Sequence, residues 1–473
     1  MNAVDTESGT DTYDVIVIGG GAAGENAADY AIRGSDRTAA LVEAELLGGE
    51  CSYWACIPSE TLLRPLDVAE TAANLSGLSV PVLDRRALLA RRDEWVHDYE
   101  DASQVSWATD AGIDTVRGRG RLVGERTVEV TSPDGDVRRL VARLAVVLAT
   151  GSVPVVPDTL AAARPWTTRD ATGVVQVPER LAIIGGGPVA CEAARWMTAL
   201  GSSVTMVVRG DRLLSRLEDF AGDEVADGLR SEGVTLRLGT SVTSAERPEV
   251  HPDPGIGRPH GGPVTLVLDD GSELEVDEVL LATGRRAATD GLGLEAVGLR
   301  PDDLAGRTHG GPLPAWLSTV GDINGEALLT HWGKHQGRRV GGRIAALAEG
   351  RPVPAEPPAP VPAVVFSSPQ VASVGLTSQQ AEQQDRRVRL LDVDYTSAAG
   401  ASLLRDDAAG HVRLVVDEDS EVVLGATFVG PDVAEQLHAA TIAVAAGLDL
   451  ATLRLAVPSY PTASEVWLRL LED

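Results

Sequence analysis

The chain has 473 residues, and its 69 acidic residues against 41 basic ones give a formal net charge of -28. This length favours several domains, and the acidic excess argues against a partner surface for nucleic acid or acidic lipid. No segment approaches the run of about 18 apolar residues that a membrane span needs. The polar start, MNAVDTESGTDT, lacks the basic and apolar regions of a secretory signal. Because the three cysteines also lack disulfide-scaffold spacing, we expect a cytoplasmic protein.

The first patterned segment, YDVIVIGGGAAGENAADYAI, begins at Tyr13 and predicts a strand, a glycine turn and a helix. Gly19, Gly21 and Gly24 fit the G-x-G-x-x-G pattern, which brings a helix N-terminus close to a pyrophosphate. Glu43 ends the next strand, where an acid binds ribose hydroxyls. The segment therefore predicts a dinucleotide site.

The segment GGECSYWACIPSE places Cys51 just before a predicted helix and Cys56 at the start of that helix. The helix N-terminus is expected to stabilise a Cys56 thiolate, and the spacing permits a small disulfide ring that can accept electrons. A zinc site is disfavoured, because there is no second cysteine pair and no histidine at finger spacing. Two inert buried thiols are the alternative for this pair, and Cys191 is predicted to lie in the core.

The segment LAIIGGGPVACEAARWMTALGSSVTMVVR repeats the strand, glycine turn, helix and strand of the first unit. Gly185 and Gly187 occupy the first two glycine positions, Ala190 occupies the third, and the returning strand ends in Arg209 instead of an acid. An arginine there accommodates a 2′-phosphate, so this site is expected to prefer NADPH to NADH. The alternative is an ordinary solvated charge, although Arg212 and Arg216 support the phosphate interpretation.

Each unit closes with a hydrophobic strand that ends in Ala-Thr-Gly. These are AVVLATGS, which contains Ala149, Thr150 and Gly151, and EVLLATGRR, which contains Gly284. Two such units predict an α/β protein with two doubly wound, Rossmann-like dinucleotide-binding domains. A proline-rich linker, residues 349 to 366, then precedes short strands and helices, which predict a C-terminal α+β domain.

Over nearly its whole length the sequence resembles the flavoprotein disulfide reductases of the pyridine-nucleotide family, such as dihydrolipoamide dehydrogenase, glutathione reductase and mercuric reductase. GGECSYWACIPSE, including Gly49, resembles their redox-disulfide segment. STVGDING resembles the segment whose aspartate, here Asp322, approaches the flavin, and VVFSSPQVASVGLT resembles the start of their dimerisation domain. The resemblance implies a homodimer with FAD in each subunit, in which Cys56 is the thiol nearer the flavin and Cys51 attacks a small-molecule substrate.

Two positions depart from the family pattern. Tyr460, in PSYPTASE, stands where the disulfide reductases have a proton-shuttling histidine, while the accompanying Glu465 is retained. Since tyrosine has a reference pKa of about 10, this residue is a poor base at neutral pH, and packing at the dimer interface is the alternative role. Glu60 replaces a lysine that pairs with a glutamate matched by Glu192, so two carboxylates would stand where an ion pair is expected.

The predicted organisation has four segments: an FAD-binding domain (1–155), an NAD(P)H-binding domain (156–283), a central segment (284–352) and a dimerisation domain (353–473). We predict an FAD-dependent, NADPH-preferring oxidoreductase that passes electrons through Cys51 and Cys56 to a disulfide or related sulfur acceptor. One alternative is a diaphorase-like reductase of quinones, metal ions or oxygen. The other is a catalytically weakened flavoprotein subunit.

Overall fold

The computed structural model describes residues 10 to 472. The start of the chain, on which the expected lack of a secretory signal depends, lies largely outside the described residues. The described chain divides into two compact units. The first contains residues up to 57, 93–155 and 284–357, and the second contains 58–92, 156–283 and the residues from 358 onward.

The strands have the following bounds: β1 Thr10–Ile18, β2 Ala39–Glu43, β3 Ile113–Arg117, β4 Arg119–Gly124, β5 Thr127–Thr131, β6 Val137–Leu148, β7 Ser152–Pro154, β8 Arg180–Ile184, β9 Ser203–Val207, β10 Thr235–Arg237, β11 Val242–Glu246, β12 Val264–Leu268, β13 Glu273–Val276, β14 Glu278–Leu281, β15 Arg285–Ala287, β16 Leu317–Thr319, β17 Ala363–Val365, β18 Gln370–Gly375, β19 Val388–Asp394, β20 His411–Asp417 and β21 Val423–Gly430.

The α-helices have the following bounds: α1 Ala22–Ile32, α2 Gly49–Tyr53, α3 Cys56–Ala73, α4 Arg85–Trp95, α5 Ala102–Asp110, α6 Asp158–Ala161, α7 Thr168–Thr172, α8 Pro188–Leu200, α9 Asp219–Ser231, α10 Thr330–Ala348, α11 Ser378–Gln383, α12 Ala399–Ser402, α13 Leu437–Ala446, α14 Leu450–Leu453 and α15 Val466–Leu470.

The first unit is built on a sheet of order β3-β2-β1-β6-β5-β4, with β16 added beside β6. Strands β3, β2, β1, β6 and β16 pair in parallel. Alternation in β1 gives the sheet two buried faces: Val15 and Val17 pack with α1 and α10, while Ile16 and Ile18 pack in a separate cluster on the other face. This doubly wound arrangement brings the carboxyl ends of β1, β2 and β6 together at one edge of the sheet.

The second unit contains a parallel sheet of order β10-β9-β8-β14 and a small antiparallel sheet of order β11-β12-β13. Helix α8 follows β8 and buries Trp196 and Met197 in the largest core cluster of this unit. A five-stranded antiparallel sheet, β17-β18-β21-β20-β19, forms the C-terminal part with α13 and α15. The proline-rich linker has neither helix nor strand between residues 351 and 362.

The α/β fold predicted from the sequence is confirmed, with both glycine-turn units in doubly wound sheets. Strand β1 begins three residues before the predicted Tyr13. None of the helices in the described part of the chain has the length and hydropathy of a membrane span.

Candidate active site

The first glycine turn connects β1 to α1 and is open at the N-terminus of the helix. Gly21 is the N-cap residue, and no side chain caps this end of the helix. Helix α1 lies so close to the strand that a Cβ on Gly24 would come within 2.0 Å of the Gly19 carbonyl oxygen. The unpaired N–H groups of α1 are therefore available to an anion such as a pyrophosphate.

Glu43 lies at the carboxyl end of β2, beside the same turn. Its Oε2 accepts a hydrogen bond from the Gly20 N–H at 2.8 Å, and its Oε1 accepts one from the Glu45 N–H at 2.7 Å. Burial raises the pKa of this carboxyl, and the two backbone donors oppose that rise. The carboxylate is thus held at the position where the sequence predicted a ribose ligand.

The first Ala-Thr-Gly segment lies at the end of β6, next to the glycine turn. The Ala149 N–H donates to the Ile18 carbonyl at 2.7 Å, and the Thr150 hydroxyl donates to the Ala288 carbonyl at 2.7 Å. The Ala288 N–H in turn donates to the Gly151 carbonyl at 3.0 Å. These bonds fix the segment against the loop that follows β15.

Asp322 belongs to a chain of hydrogen bonds in this unit. Its Oδ2 accepts from the Ser152 hydroxyl at 2.6 Å, and that hydroxyl accepts from Arg285 Nε at 2.7 Å. The Arg285 guanidinium also lies 3.7 Å from a carboxylate oxygen of Glu50. Asp322 is therefore oriented by Ser152 and, through it, by a guanidinium.

The redox segment packs directly against the first glycine turn. Gly48 bridges to Gly21, and its N–H donates to the Gly20 carbonyl at 2.8 Å. A Cβ on Gly49 would lie 2.8 Å from the Gly21 Cα, so only glycine allows this approach. Cys51 then follows in α2, and Cys56 is the first residue of α3. The sequence therefore places the cysteine pair beside the dinucleotide turn.

Both cysteines of the pair are thiols in this structure, and a hydrogen bond joins them. This bond, supported by one from Thr330, lowers the pKa of Cys51 to about 7, although burial opposes the change. The same bond and burial raise the pKa of Cys56. The Cys56 Sγ also lies 3.1 Å from the Thr330 Oγ1. The hydrogen bond between the sulfurs thus favours the anion at Cys51, whereas the helix N-terminus favours it at Cys56, and the expected Cys56 thiolate stays a prediction.

The second glycine turn, between β8 and α8, repeats the geometry of the first. A Cβ on Gly185 would lie 2.4 Å from the Ala282 carbonyl oxygen, and Ala190 is fully buried on α8. Gly187 is the N-cap residue, without a side-chain cap. Gly284 follows the second Ala-Thr-Gly strand, and its carbonyl accepts from the Val155 N–H at 3.0 Å.

The loop after β9 carries the arginines that distinguish this turn from the first. The Leu214 N–H donates to the Gly186 carbonyl at 2.8 Å, which holds the loop beside the glycine turn. Arg209 and Arg216 are exposed. Arg212 instead pairs with Asp219, so it is partly neutralised inside the unit.

Comparison with known proteins identifies the family. The family model for pyridine nucleotide-disulphide oxidoreductases matches residues 13–306, and the model for their dimerisation domain matches residues 361–470. The chain belongs to this family. It is accordingly an FAD-dependent NAD(P)H oxidoreductase of the disulfide reductase type, with a C-terminal dimerisation domain.

Relatives with different activities are similar over the full length. Glutathione reductase from Burkholderia cepacia is 30% identical, with 97% of this chain and 98% of the relative covered. Dihydrolipoyl dehydrogenase 3 from Pseudomonas aeruginosa is 31% identical, with 96% of each covered. The HOCl-induced flavoprotein disulfide reductase from Escherichia coli has a TM-score of 0.81 at 24% identity, covering 97% of this chain and 99% of that one. This structural likeness supports the shared fold.

The residues of the first unit fit the FAD that the family uses. The uncapped N-terminus of α1 can receive the pyrophosphate, and the fixed Glu43 carboxylate can accept from a ribose. The close contact between Gly49 and Gly21 places the cysteine pair next to that turn. Asp322 would approach the flavin side of the cofactor, as the resemblance implies. Among the described residues, no group of histidine, cysteine and acidic side chains could hold a metal ion.

Glu60, on α3, lacks a hydrogen-bond partner for one oxygen. Its Oε2 is buried and accepts from no described residue. Burial raises its pKa, and Asp67 adds to the rise, while Arg64 and Arg195 oppose it. Glu192 accepts from the Phe366 N–H at 3.0 Å. An interaction between Glu60 and Glu192 stays a prediction.

Tyr460 and Glu465 lie near the C-terminus in different environments. Tyr460 is 76% exposed, and its hydroxyl makes no hydrogen bond to a described residue. Glu465 is buried and accepts from the Ala399 N–H at 3.3 Å and from Arg469 Nη2 at 3.2 Å. Within one chain, therefore, Glu465 is held by its own domain and does not orient Tyr460.

Sequence reasoning missed three residues around the cysteine pair: Thr330, Lys334 and Glu25. Thr330 contacts Cys56, and the charges of Lys334 and Glu25 both act on the pKa of Cys51. Lys334 carried a usable signal, because it is the single lysine of the chain. Its position near Cys51 depends on the packing of α10 against α1 within the first unit, which no local pattern shows.

Proposed function

We propose that the protein is an NADPH-preferring flavoprotein reductase that passes electrons from NADPH through FAD and the Cys51–Cys56 disulfide to a small disulfide or related sulfur compound. The observation that carries the proposal is the hydrogen-bonded thiol pair beside the first glycine turn, in which the pKa of Cys51 is lowered to about 7. A thiol with this pKa is substantially ionised at neutral pH and is a competent nucleophile.

The two cysteines have different roles in this proposal. When bound, FAD accepts two electrons from NADPH and makes them available to the disulfide. Cys51, as a thiolate, attacks the sulfur of the acceptor. Cys56 donates its hydrogen bond to Cys51, and Thr330 contacts the Cys56 sulfur at 3.1 Å. After the attack, Cys56 can displace the substrate from Cys51 and restore the disulfide.

The preference for NADPH is supported by the arginines beside the second glycine turn. Arg209 and Arg216 are exposed and make no ion pair with a described residue, whereas Arg212 is paired with Asp219. These two guanidinium groups lie on a loop that is hydrogen-bonded to Gly186, beside the glycine turn. They are therefore available to bind a 2′-phosphate. We further propose a homodimer in the cytoplasm, on the basis of the dimerisation domain and of cysteines without disulfide-scaffold spacing.

Anaerobic titration of the FAD-loaded enzyme with NADPH tests the proposal. We expect uptake of about four electrons per FAD, because the flavin and the disulfide each accept two. The Cys51→Ala/Cys56→Ala double variant should take up about two electrons and lose disulfide reductase activity. Cys191→Ala is the matched control, because Cys191 is buried in α8 and remote in sequence from the pair. An unmodified enzyme that takes up only two electrons contradicts a working disulfide.

The tyrosine at position 460 favours a second candidate, a diaphorase-like reductase. Tyr460 stands where the resemblance implies a histidine base, and a tyrosine with a reference pKa of about 10 is a poor base at neutral pH. Quinones, metal ions and oxygen can accept electrons without that base. Quinone reduction that persists in the double cysteine variant would support this candidate. Flavin reduction by NADPH would oppose the remaining alternative, a catalytically weakened subunit.

A further inference from the structure

Lys334 places a positive charge near the cysteine pair. It lies on α10 four residues after Thr330, and residues with this spacing share a helix face. Thr330 contacts the Cys56 sulfur at 3.1 Å, so this face of α10 is turned toward the pair. The Lys334 charge accordingly lowers the pKa of Cys51. Lys334 is the only lysine of the chain.

Glu25 supplies a carboxylate in the same region, from the first turn of α1. Helices α1 and α10 approach closely, since a Cβ on Gly333 would lie 3.2 Å from the Ala23 Cβ. One carboxylate oxygen of Glu25 is buried and has no hydrogen-bond partner among the described residues. Burial raises the pKa of Glu25 to about 7, with Lys334 opposing the rise and Glu43 adding to it.

The charges that face Glu25 come from three elements. Lys334 lies on α10, Glu43 lies on β2, and Cys51 and Tyr53 lie on α2. The Glu25 charge raises the pKa of Cys51, whereas the Lys334 charge lowers it. One ammonium therefore faces two groups that can both become anions, the Glu25 carboxyl and the Cys51 thiol. In a partly desolvated cluster, ionisation of one such group disfavours ionisation of the other.

We propose that Glu25 takes up a proton when the Cys51–Cys56 disulfide is reduced, which leaves Lys334 to stabilise the Cys51 thiolate. The inference rests on the proposed function, because it requires a redox-active disulfide. Glu25 is a positioning residue in this scheme: it acts on Cys51 through charge. It gives the first unit its own proton store beside the cysteines, independent of Tyr460.

The step balances as follows. Two electrons, which NADPH supplies in the proposed function, and one proton break the S–S bond and give a Cys51 thiolate and a Cys56 thiol. A second proton, from solvent, neutralises the Glu25 carboxylate. When Cys51 attacks an acceptor disulfide, an S–S bond forms to one acceptor sulfur, and the other sulfur leaves as a thiolate. The negative charge at Cys51 is then lost, so Glu25 releases its proton through solvent to that leaving thiolate.

The pH dependence of Cys51 alkylation tests the charge coupling. The FAD-loaded enzyme is reduced chemically, freed of reductant and treated with iodoacetamide, and fragmentation mass spectrometry identifies the modified cysteine. Glu25→Gln should lower the pH midpoint of Cys51 alkylation, and Lys334→Gln should raise it. The effect of Glu25→Gln is expected near and above pH 7, where the wild-type Glu25 carboxyl is ionised. The double variant should lie between them. If both single substitutions shifted the pH midpoint of Cys51 alkylation in the same direction, or if Glu25→Gln caused no shift, the inference would be overturned.

Proton uptake tests the linkage to reduction. Protons consumed per disulfide reduced are measured near pH 7 in weak buffer, with one reductant for all variants so that its own protons cancel. The wild type should consume more protons than Glu25→Gln. Asp29→Asn should match the wild type, because Asp29 lies one turn further along α1 and pairs with Arg33. Equal uptake in wild type and Glu25→Gln would contradict the inference.

These two measurements separate the inference from the proposed function. Both use chemical reduction, so they report on Glu25 even if NADPH delivers no electrons to the cysteines. Uptake of two electrons in the NADPH titration, together with Glu25-dependent proton uptake, would reject the proposed function and retain the coupling. Uptake of four electrons in the NADPH titration, together with proton uptake that Glu25→Gln does not change, would support the proposed function and reject the coupling.

Discussion

At the scale of single residues, Arg209 is the most direct test of nucleotide preference. Arg209→Leu should raise the KM for NADPH by about tenfold or more, because a charge-assisted hydrogen bond to a phosphate contributes about 1.5–3 kcal/mol. The KM for NADH should change little, since NADH lacks the 2′-phosphate. Steady-state kinetics with both nucleotides measure the difference.

The matched control for Arg209 is Arg230, an exposed arginine of α9 in the same unit. Arg230 pairs with Asp227 at 2.9 Å, so its charge is already balanced by an ion pair at the surface. Arg230→Leu should leave both KM values unchanged. If Arg209→Leu raised the KM for NADPH and NADH equally, the residue would act on the shared part of the nucleotide or on folding, and the 2′-phosphate assignment would be wrong.

Glu60 allows a prediction of stability against pH. Burial raises the pKa of its carboxyl above the unfolded value, so the unfolded chain ionises it more readily, and its charge opposes folding at neutral pH. Glu60→Gln should therefore raise the melting temperature near pH 7. The gain should shrink as the pH falls toward about 4.3, where the wild-type carboxyl is increasingly protonated in both states. Thermal unfolding across this pH range measures it.

Glu246→Gln is a suitable control for Glu60, because Glu246 is an exposed residue of β11. Its melting temperature should follow the wild type at every pH. If the melting temperature of Glu60→Gln exceeded that of the wild type by the same amount at every pH, the charge of the Glu60 carboxylate would not be the cause. The packing of the side chain would then limit stability at this position.

At the scale of elements, the packing of α10 on α1 depends on glycines at particular positions. A Cβ on Gly341 would lie 2.6 Å from the Ala27 carbonyl oxygen and 2.8 Å from the Tyr30 Cβ. Gly341→Ala should therefore reduce the free energy of unfolding by about 1–3 kcal/mol through overpacking. Chemical denaturation measures the change.

The next residue of the same helix provides the control. A Cβ on Gly342 would meet nothing within 4 Å, so Gly342→Ala should raise the free energy of unfolding by about 0.5–1 kcal/mol through helix propensity. Equal effects of the two substitutions would contradict the close approach of α10 to α1.

Helix α10 is an element that could not be predicted from the sequence. The units β1-α1-β2 and β8-α8-β9 were predictable, because strand, glycine turn and helix follow one another along the chain. Helix α10 was not predicted, since its glycines oppose helix formation locally and are favoured only by packing against α1. The roles of Thr330 and Lys334, which α10 carries to the cysteines, were missed for the same reason.

The cysteine pair itself was predicted, but the hydrogen bond between its two sulfurs was not. The helix start at Cys56 is visible in the sequence and favours a thiolate there. The hydrogen bond between the sulfurs, which favours the anion at Cys51 instead, depends on the three-dimensional placement of α2 beside α3.

At the scale of the whole molecule, each compact unit combines segments that are far apart in sequence. Residues 284–357 complete the first unit, where β16 pairs with β6 and α10 packs on α1. The linear sequence gives the order of the segments, but contacts between distant segments decide which of them share a core. The predicted four-segment organisation therefore describes chain order and stays a prediction as a domain division.

The C-terminal domain exposes apolar side chains that a homodimer would cover. Leu455 is 81% exposed and Val457 is 86% exposed, within the matched dimerisation domain. Removing such surface from water is the main driving force of association. The protein should therefore sediment at about twice its chain mass of 49.4 kDa. Leu455→Asp/Val457→Asp should raise the dimer dissociation constant by about tenfold or more per substitution.

Analytical ultracentrifugation over a range of concentrations measures this change. The control is Val137→Asp, which alters a 59% exposed valine of β6 in the first unit and should leave the dimer intact. The resemblance to the disulfide reductases implies that the residue at the Tyr460 position serves the active site of the partner subunit, so the dissociated variant also separates the two possible proton sites. If Glu25 serves as the local proton store, reduction-linked proton uptake should survive dissociation of the dimer. Loss of that uptake together with the dimer would assign the proton site to the partner subunit.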